Sequence, residues 1–383
     1  MDNTATICFI TMCKNEEHCI KNTLESVYKH IDYWIVCDTG SSDKTCEIVT
    51  DFFKEKDIPG ELFVDEWKGF DKNKSLMFKR AYKKTDFVLH LDADDILCGD
   101  FDKNLLINNK YDVYTFRYIR NNSNEFITSS LYNNQLKWIY VGVAHNLIIC
   151  LDKKNISKSN LFVTDSIYVD AEERGNRVFN PKKYITDAEN LKQQFFDTLY
   201  SDPYNLNYRS VFYTAQSYFD AKHYKQAIQW YTLFTKFKNT WIEELYISYI
   251  KIASCQILLK FDNNDIVTSA QNAINIIPDR AEAYYLIGKY LNDNSLCEKA
   301  YSYFKKAMSC DYNLVCKKYI LFINKLTYGK YINDELSVSC YWTNRCDEGY
   351  ELLNNIIDDP DFITHKERLI TNKKFFQSKY NLT

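Results

Sequence analysis

The stretch FVLHLDADD, residues 87–95, decides the fold, because a short apolar run ends there in three carboxylates. A run of this length that stops at polar residues indicates a buried β-strand. Ligands of open α/β sheets bind at the carboxyl ends of strands, where clustered carboxylates repel one another unless a cation neutralises them. We therefore predict a strand that carries Asp92 and Asp94 to a divalent-cation site. The alternative is a solvated acidic turn in which Asp95 caps a helix.

Two further stretches end predicted strands in the same manner. In WIVCDTGSSDKT, residues 34–45, a buried strand ends at Asp38, and Gly40 permits a tight turn before a capped helix. In TMCKNEE, residues 11–17, the first strand ends in polar groups. An acidic side chain at a strand end accepts hydrogen bonds from a nucleobase or from ribose hydroxyls, and a plain strand, turn and helix cap is the alternative. We expect the three stretches to line one crevice.

The order of strand and helix periods predicts the fold class. Up to about residue 180 the two periods alternate, which predicts an α/β domain with a mostly parallel sheet and helices on both faces. Beyond that point almost every segment has a helical period. The second part of the chain is therefore predicted to be all-α.

Small residues in the helical part recur at a fixed offset, Ala215 with Ala227 and Gly288 with Ala300. Small side chains let antiparallel helices approach closely, so we predict a tetratricopeptide-like solenoid of about three repeats. The middle repeat fits poorly, because residues 261–265 look inserted. The predicted domains are 1–200 for the α/β domain with its connecting helix, 201–330 for the repeats and 331–383 for a helical cap.

Composition excludes several classes of protein. With 48 Lys and Arg against 51 Asp and Glu, the net charge of −3 excludes a nucleic-acid binder that relies on a broad basic surface. The 13 cysteines include no CxxC pair, which favours reduced thiols and a cytoplasmic location. No apolar stretch suits a membrane span. A dehydrogenase is disfavoured because no GxGxxG follows a predicted strand.

Taken together, KNE at 14–16, DTGSSDKT at 38–45 and LDADD at 91–95 resemble the family 2 glycosyltransferases of the GT-A fold. The resemblance extends to residues 61–81, where Lys74 stands at a position that usually holds Arg, to WIYVGVAHN, where Asn146 replaces an expected Glu, and to EERGNR at 172–177. The segments FYTAQSYFDAKHYKQAIQWY and PDRAEAYYLIGKY resemble the tetratricopeptide repeats of relatives that carry them behind the catalytic domain.

The resemblance implies a role for individual residues. Asp38 would meet the uracil of a UDP-sugar, Asp92 would contact ribose or sugar, and Asp94 would bind Mn²⁺ or Mg²⁺ between the phosphates. His145 would be a further metal or phosphate contact. The implied catalytic residues are Asp94, Asp95 and His145. The implied donor-binding residues are Thr11, Asn15, Glu16, Asp38, Ser41, Lys74, Asp92 and Arg174, and the implied metal ligands are Asp92, Asp94 and His145.

The function implied is an inverting, metal-dependent hexosyl transfer from a UDP-sugar to a protein, peptide or glycan acceptor. The helical repeats would dock the acceptor or form a homodimer. One alternative is a non-catalytic tetratricopeptide scaffold with a vestigial nucleotide-sugar domain, which Asn146 favours and the complete acidic motifs disfavour. A second alternative is a nucleotidyltransferase, which would need a glycine-rich basic loop after the first strand.

Overall fold

The computed structural model describes residues 4–100, 102–108, 111–120, 124–160 and 167–380. The chain divides into two compact units, Met1–Tyr213 and Thr214–Thr383. The first unit is a mostly parallel sheet with helices, and the second is helical, which confirms the predicted fold class. The domain boundaries predicted after residues 200 and 330 stay a prediction. Within the described ranges, no helix combines the length and the apolar character that crossing a membrane requires.

The elements of the first unit alternate as the sequence predicts. Its strands are β1 Ile7–Cys13, β2 Tyr33–Asp38, β3 Gly60–Val64, β4 Phe87–His90, β5 Ile96–Cys98, β6 Val113–Arg120, β7 Asn124–Asn133, β8 Trp138–Val141, β9 Leu147–Cys150, β10 Lys158–Asn160 and β11 Tyr168–Asp170. Its helices are α1 Ile20–Val27, α2 Thr45–Glu55, α3 Phe70–Ala81, α4 Asn104–Asn108 and α5 Lys183–Asp197, and α6 Leu206–Asp220 crosses into the second unit.

The strand order of the main sheet creates a binding edge. The order is β3-β2-β1-β4-β7-β6-β11-β5, with β10 paired to β6, and a separate hairpin joins β8 to β9. Strands β3, β2, β1 and β4 are parallel, and β7 pairs antiparallel to β4. The strand order reverses at β1, because β2 and β3 lie on one side of β1 and β4 lies on the other. The carboxyl ends of β1, β2 and β4 therefore surround a topological switch point, where α/β sheets bind ligands.

Apolar layers on both faces hold this edge in place. On one face Phe9 and Leu89 belong to a core that includes residues of α1 and α2. On the other face Ile10 and Val88 pack with Met77 of α3. A strand buried on both faces is continuously hydrophobic, as the sequences of β1 and β4 are.

The second unit consists of helices, most of which are joined by short loops. They are α7 Tyr224–Phe234, α8 Ile242–Leu258, α9 Asn263–Ile276, α10 Ala281–Asp293, α11 Cys297–Met308, α12 Tyr312–Lys318, α13 Lys330–Trp342, α14 Cys346–Asn354 and α15 Lys366–Tyr380. Gly288 marks a close approach, since a Cβ there would lie 2.7 Å from the ring of Phe304. The predicted insertion at 261–265 is wrong, because these residues are the loop after α8 and the first turn of α9.

Candidate active site

The loops that follow β1 and β2 interlock through backbone and side-chain hydrogen bonds. Asn15 adopts a left-handed φ of 57°, and its backbone N–H donates to Ser41 Oγ at 2.7 Å. In return its Oδ1 accepts from the Ser42 N–H at 2.7 Å, and the Glu16 N–H donates to Thr45 Oγ1 at 2.8 Å. The KNE and DTGSSDKT motifs therefore form one rim, as the sequence predicts.

Asp38 lies beneath this rim with 1% of its surface exposed. Its Oδ1 accepts hydrogen bonds from the N–H groups of Gly40 and Ser41, both at 2.8 Å. Its Oδ2 accepts from Ser41 Oγ and, at 3.7 Å, from the Cys13 thiol. Because a carboxylate has about four acceptor positions, these four bonds fill them. Asp38 therefore organises the turn, in which Gly40 has a φ of 97° that favours glycine.

Thr11 carries an unsatisfied hydroxyl close to the end of β1. The residue is fully buried, and its Oγ1 has no hydrogen-bond partner in the described part of the chain. Buried polar atoms without partners are rare in folded proteins, so a group of this kind near a strand end is consistent with a ligand site.

Asp94 is held by backbone that lies 80 residues further along the chain. Its Oδ2 accepts from the Gly175 N–H at 2.8 Å and the Arg174 N–H at 3.2 Å. The Asn176 N–H donates to Glu16 Oε2 at 2.9 Å. A Cβ on Gly175 would lie 2.9 Å from Asp94 Oδ2 and 3.4 Å from Glu16 Oε1, so both carboxylates face the same point. Burial raises the pKa of Glu16, and the charge of Asp94 adds to the shift.

Asp92 and Lys74 form an ion pair at a cavity. Lys74 Nζ lies 3.0 Å from Asp92 Oδ1 and, as the largest cause, lowers the pKa of that carboxyl to about 2. The cavity has a volume of about 450 Å³. The charged side chains that line it are Lys74, Asp92, Asp95, Arg120, Lys158 and Arg209.

Asp95 folds back onto the start of its own turn. Its Oδ2 accepts from the Asp92 N–H at 3.1 Å, and 8% of the residue is exposed. Burial raises its pKa well above the ordinary value, and the charges of Asp92 and Asp94 add to the shift. The next element is strand β5, so the alternative in which Asp95 caps a helix is wrong.

His145 lies among cations. Its ring stacks on Tyr213 with centroids 4.0 Å apart, and its carbonyl accepts from Arg209 Nη2 at 3.1 Å. Desolvation lowers the pKa of the imidazole to about 4. Positive charge adds to that shift, in decreasing order from Arg209, Arg177 and Lys183. Such surroundings disfavour a bound metal ion and favour an anion.

In the part of the chain that the structure describes, the predicted metal ligands do not meet as one group. Among the described residues, the group whose ligand atoms all lie within 4.8 Å of one another is Glu16, His18 and Cys19, and Asp92, Asp94 and His145 do not form such a group. Burial raises the pKa of the Cys19 thiol, which opposes metal binding through sulfur. The oxygen donors of Asp94 and Glu16 fit a hard divalent cation, whereas His145 does not.

Three contributors to the site were missed at the level of sequence. His90 lines the cavity, Arg209 reaches it from α6, and Gly175 permits the close approach to Asp94. For His90 the sequence does contain a signal, because a histidine is unusual inside an apolar run such as FVLHL. Arg209 and Gly175 have no such signal, because their roles depend on contacts far along the chain.

Comparisons with known proteins identify a family over the first part of the chain. Residues 8–149 match the family model described as Glycosyl transferase family 2. A poly-beta-1,6-N-acetyl-D-glucosamine synthase of Staphylococcus aureus is 32% identical over 116 residues, which are 29% of this chain and 27% of that protein. This chain therefore spans about a quarter of the length of the curated relatives it matches.

Solved structures with overall similarity cover either most of the chain or its helical part. TarS 1–349 of S. aureus, in complex with UDP-GlcNAc, is 14% identical, and the match covers 75% of this chain and 92% of TarS with a TM-score of 0.36. A tetratricopeptide repeat protein of Thermus thermophilus is 10% identical over 51% of this chain and 93% of its own, with a TM-score of 0.35. On the family match, the chain contains a glycosyltransferase domain of family 2 over residues 8–149.

Proposed function

We propose that this chain transfers a hexosyl group, with inversion, from a UDP-sugar to a protein, peptide or glycan acceptor. The observation that carries the proposal is the meeting of three strand-end motifs at the switch point of a family 2 domain. The carboxylates of Asp94 and Glu16 face one point, and a cavity of small-molecule size is lined by Asp92 and Lys74.

The proposed cation, Mn²⁺ or Mg²⁺, would be held by the carboxylates of Asp94 and Glu16. A divalent cation bound there supplies charge that neutralises the diphosphate of the donor. Asp94 Oδ2 already accepts two backbone N–H groups, from Arg174 and Gly175, so the other carboxylate oxygen of Asp94 would be the one left to hold the cation. Asp92 is left to contact ribose or sugar beside Lys74.

Binding of the diphosphate is proposed to rest on the basic side chains. Lys74 and Arg174 would offset the charge that develops as UDP leaves, because positive groups held ready at such a point stabilise the transition state. For His145 we propose the phosphate contact rather than the metal contact, since Arg177, Lys183 and Arg209 surround it with positive charge.

Deprotonation of the acceptor is proposed to fall to Asp95. An inverting transfer needs one base, and a carboxylate is a better base when its pKa is raised toward neutrality. Asp95 has a raised pKa, lines the cavity and lies next to Asp92, which we place at the sugar. Asn146 also lines the cavity but has no acid–base chemistry of its own.

For the nucleoside, we propose that Asp38 fixes the loop that receives the uracil, with Thr11, Asn15 and Ser41 around the base. All four acceptor positions of Asp38 are used inside the protein, which supports a positioning role. The helical unit is proposed to dock the acceptor or to form a homodimer.

Calorimetric titration with UDP, with and without Mn²⁺, tests the proposal. We expect Mn²⁺ to strengthen UDP binding and Asp94→Asn to weaken the Mn²⁺-dependent binding by about tenfold, or about 1.4 kcal/mol. Asp51→Asn is the matched control, because Asp51 is an exposed carboxylate on α2. Equal UDP affinity with and without Mn²⁺ would contradict the cation site, and no UDP binding at all would contradict the donor.

A further inference from the structure

His90 is a polar side chain inside an apolar layer. It ends β4, a strand whose four residues are all buried, and its own side chain is 9% exposed. Its ring centroid lies 5.9 Å from that of Phe78 and 5.8 Å from that of Tyr140. These neighbours would accommodate an aromatic hydrocarbon ring equally well, so packing does not require an imidazole.

One nitrogen of the imidazole is engaged and the other is not. Nδ1 lies 3.1 Å from the Tyr140 hydroxyl, which fixes the orientation of the ring. Nε2 is buried and has no hydrogen-bond partner in the described part of the chain, and the nearest carboxylate oxygen, Asp92 Oδ1, is 3.9 Å away. A buried polar atom left without a partner lowers stability by an amount comparable to a lost hydrogen bond.

The residue that carries the unpartnered atom lines the cavity of the proposed active site. His90 is one of the residues that line the cavity of about 450 Å³, next to Asp92. We infer that His90 Nε2 forms a hydrogen bond with a hydroxyl of the sugar that the donor carries, an inference that rests on the proposed function. The residue would thereby contribute to recognition of the sugar rather than of UDP.

The chemistry of the cavity favours a sugar hydroxyl over a phosphate as the partner. Nδ1 of His90 is held by the Tyr140 hydroxyl, so the imidazole has a single nitrogen left for a partner. One nitrogen suits one hydroxyl, whereas a phosphate is better matched by the charges of Lys74 or Arg209, which line the same cavity. Aromatic rings beside polar groups also suit a pyranose, and the cavity has such rings at Tyr118, Tyr132 and Tyr140.

The experiment compares how tightly UDP and UDP-sugars bind. Calorimetry in Mn²⁺ gives the Kd of UDP and of UDP-glucose, UDP-galactose and UDP-N-acetylglucosamine for the wild type and for His90→Phe. For the UDP-sugar that the wild type binds most tightly, we divide the Kd of UDP by the Kd of that UDP-sugar. We expect His90→Phe to leave the Kd of UDP unchanged and to lower this ratio by about three- to tenfold, the range of one hydrogen bond.

His30→Phe is the matched control, because His30 is a second buried histidine of the same unit and does not line the cavity. We expect the control to keep the wild-type ratio. An unchanged ratio in a folded His90→Phe protein would overturn the inference. It would mean that Nε2 of the wild type binds water rather than the sugar. A wild type that binds UDP but gains nothing from any of the three sugars would overturn it as well.

Failure of the proposed function gives a different result, since the wild type would then bind neither UDP nor any UDP-sugar. Should His90→Phe fail to fold, Tyr140→Phe carries the test. That variant keeps the ring beside His90 but removes the hydroxyl that orients Nδ1. We expect it to lower the ratio by at least about twofold, and an unchanged ratio would overturn the inference.

Discussion

Replacement of Asp38 tests whether this residue organises the loop beside the site. Asp38→Ala removes the acceptor of the Gly40 and Ser41 N–H groups, each at 2.8 Å, together with the acceptor of Ser41 Oγ. A hydrogen bond to a charged group contributes about 1.5–3 kcal/mol. Gly40 is exposed, so water replaces part of what is lost there, and we expect the free energy of unfolding to fall by about 3 kcal/mol.

Asp38→Asn gives the intermediate case. Its amide oxygen still accepts from the two backbone N–H groups, but without the negative charge, so the expected loss is about 1 kcal/mol. Urea denaturation followed by circular dichroism measures both variants, with Asp51→Ala as the control for an exposed carboxylate of the same unit.

A free energy of unfolding for Asp38→Ala within about 0.5 kcal/mol of the wild type would refute the reasoning, because surface substitutions have effects of that size. Loss of UDP affinity at unchanged stability would show instead that Asp38 contacts the base directly, as the family resemblance implies. Loss of both stability and UDP affinity is the result that a positioning role predicts.

Two further predictions concern buried groups that do not line the cavity. Arg280 is fully buried between Glu243 and Glu282, so Arg280→Met removes the opposite charge from two largely buried carboxylates and lowers the free energy of unfolding by about 3 kcal/mol. Lys318→Met removes an exposed ion pair and has little effect, and equal urea midpoints for the two variants would contradict this prediction. Burial holds the pKa of His30 below 6.5, so the unfolded chain takes up its proton first, and the stability that depends on neutral His30 is lost as the pH falls below about 6.5. His30→Phe should therefore flatten the dependence of stability on pH below that value, and equal slopes would contradict the assignment.

The sequence predicts the strands, the helices and the edge of the sheet where the motifs meet. Each of these depends on local patterns: an apolar run that ends in polar residues gives a strand end, and alternation of strand and helix periods gives the parallel sheet. The contact of Asn15 with Ser41 follows because the carboxyl ends of β1 and β2 are neighbours in that sheet.

What the sequence does not predict depends on contacts between distant parts of the chain. The Asn176 N–H reaches Glu16 across 160 residues, and no local pattern encodes that bond. The family resemblance implies a metal or phosphate contact for His145, which lies within the motif WIYVGVAHN, yet its position beside Arg209 is set by α6. Likewise, only the folded structure shows that the acceptor positions of Asp38 are filled by hydrogen bonds within the protein.

The helical part shows the same division. The small residues that predict close helix packing are fully buried, as at Ala227 and Ala300. Residues 261–265 look inserted in the sequence, but they are a loop and the exposed first turn of α9. Polar residues at a helix start do not signal an insertion when the following turns keep their buried face.

The release of UDP from a panel of UDP-sugars in Mn²⁺ tests the central claim most directly. The 383-residue chain should release UDP from at least one donor, slowly by hydrolysis without an acceptor. EDTA or Asp94→Asn should lower that rate by at least about tenfold, or about 1.4 kcal/mol in the barrier. Asp51→Asn should match the wild type. Failure to release UDP from any UDP-sugar, together with failure to bind UDP, would contradict the account.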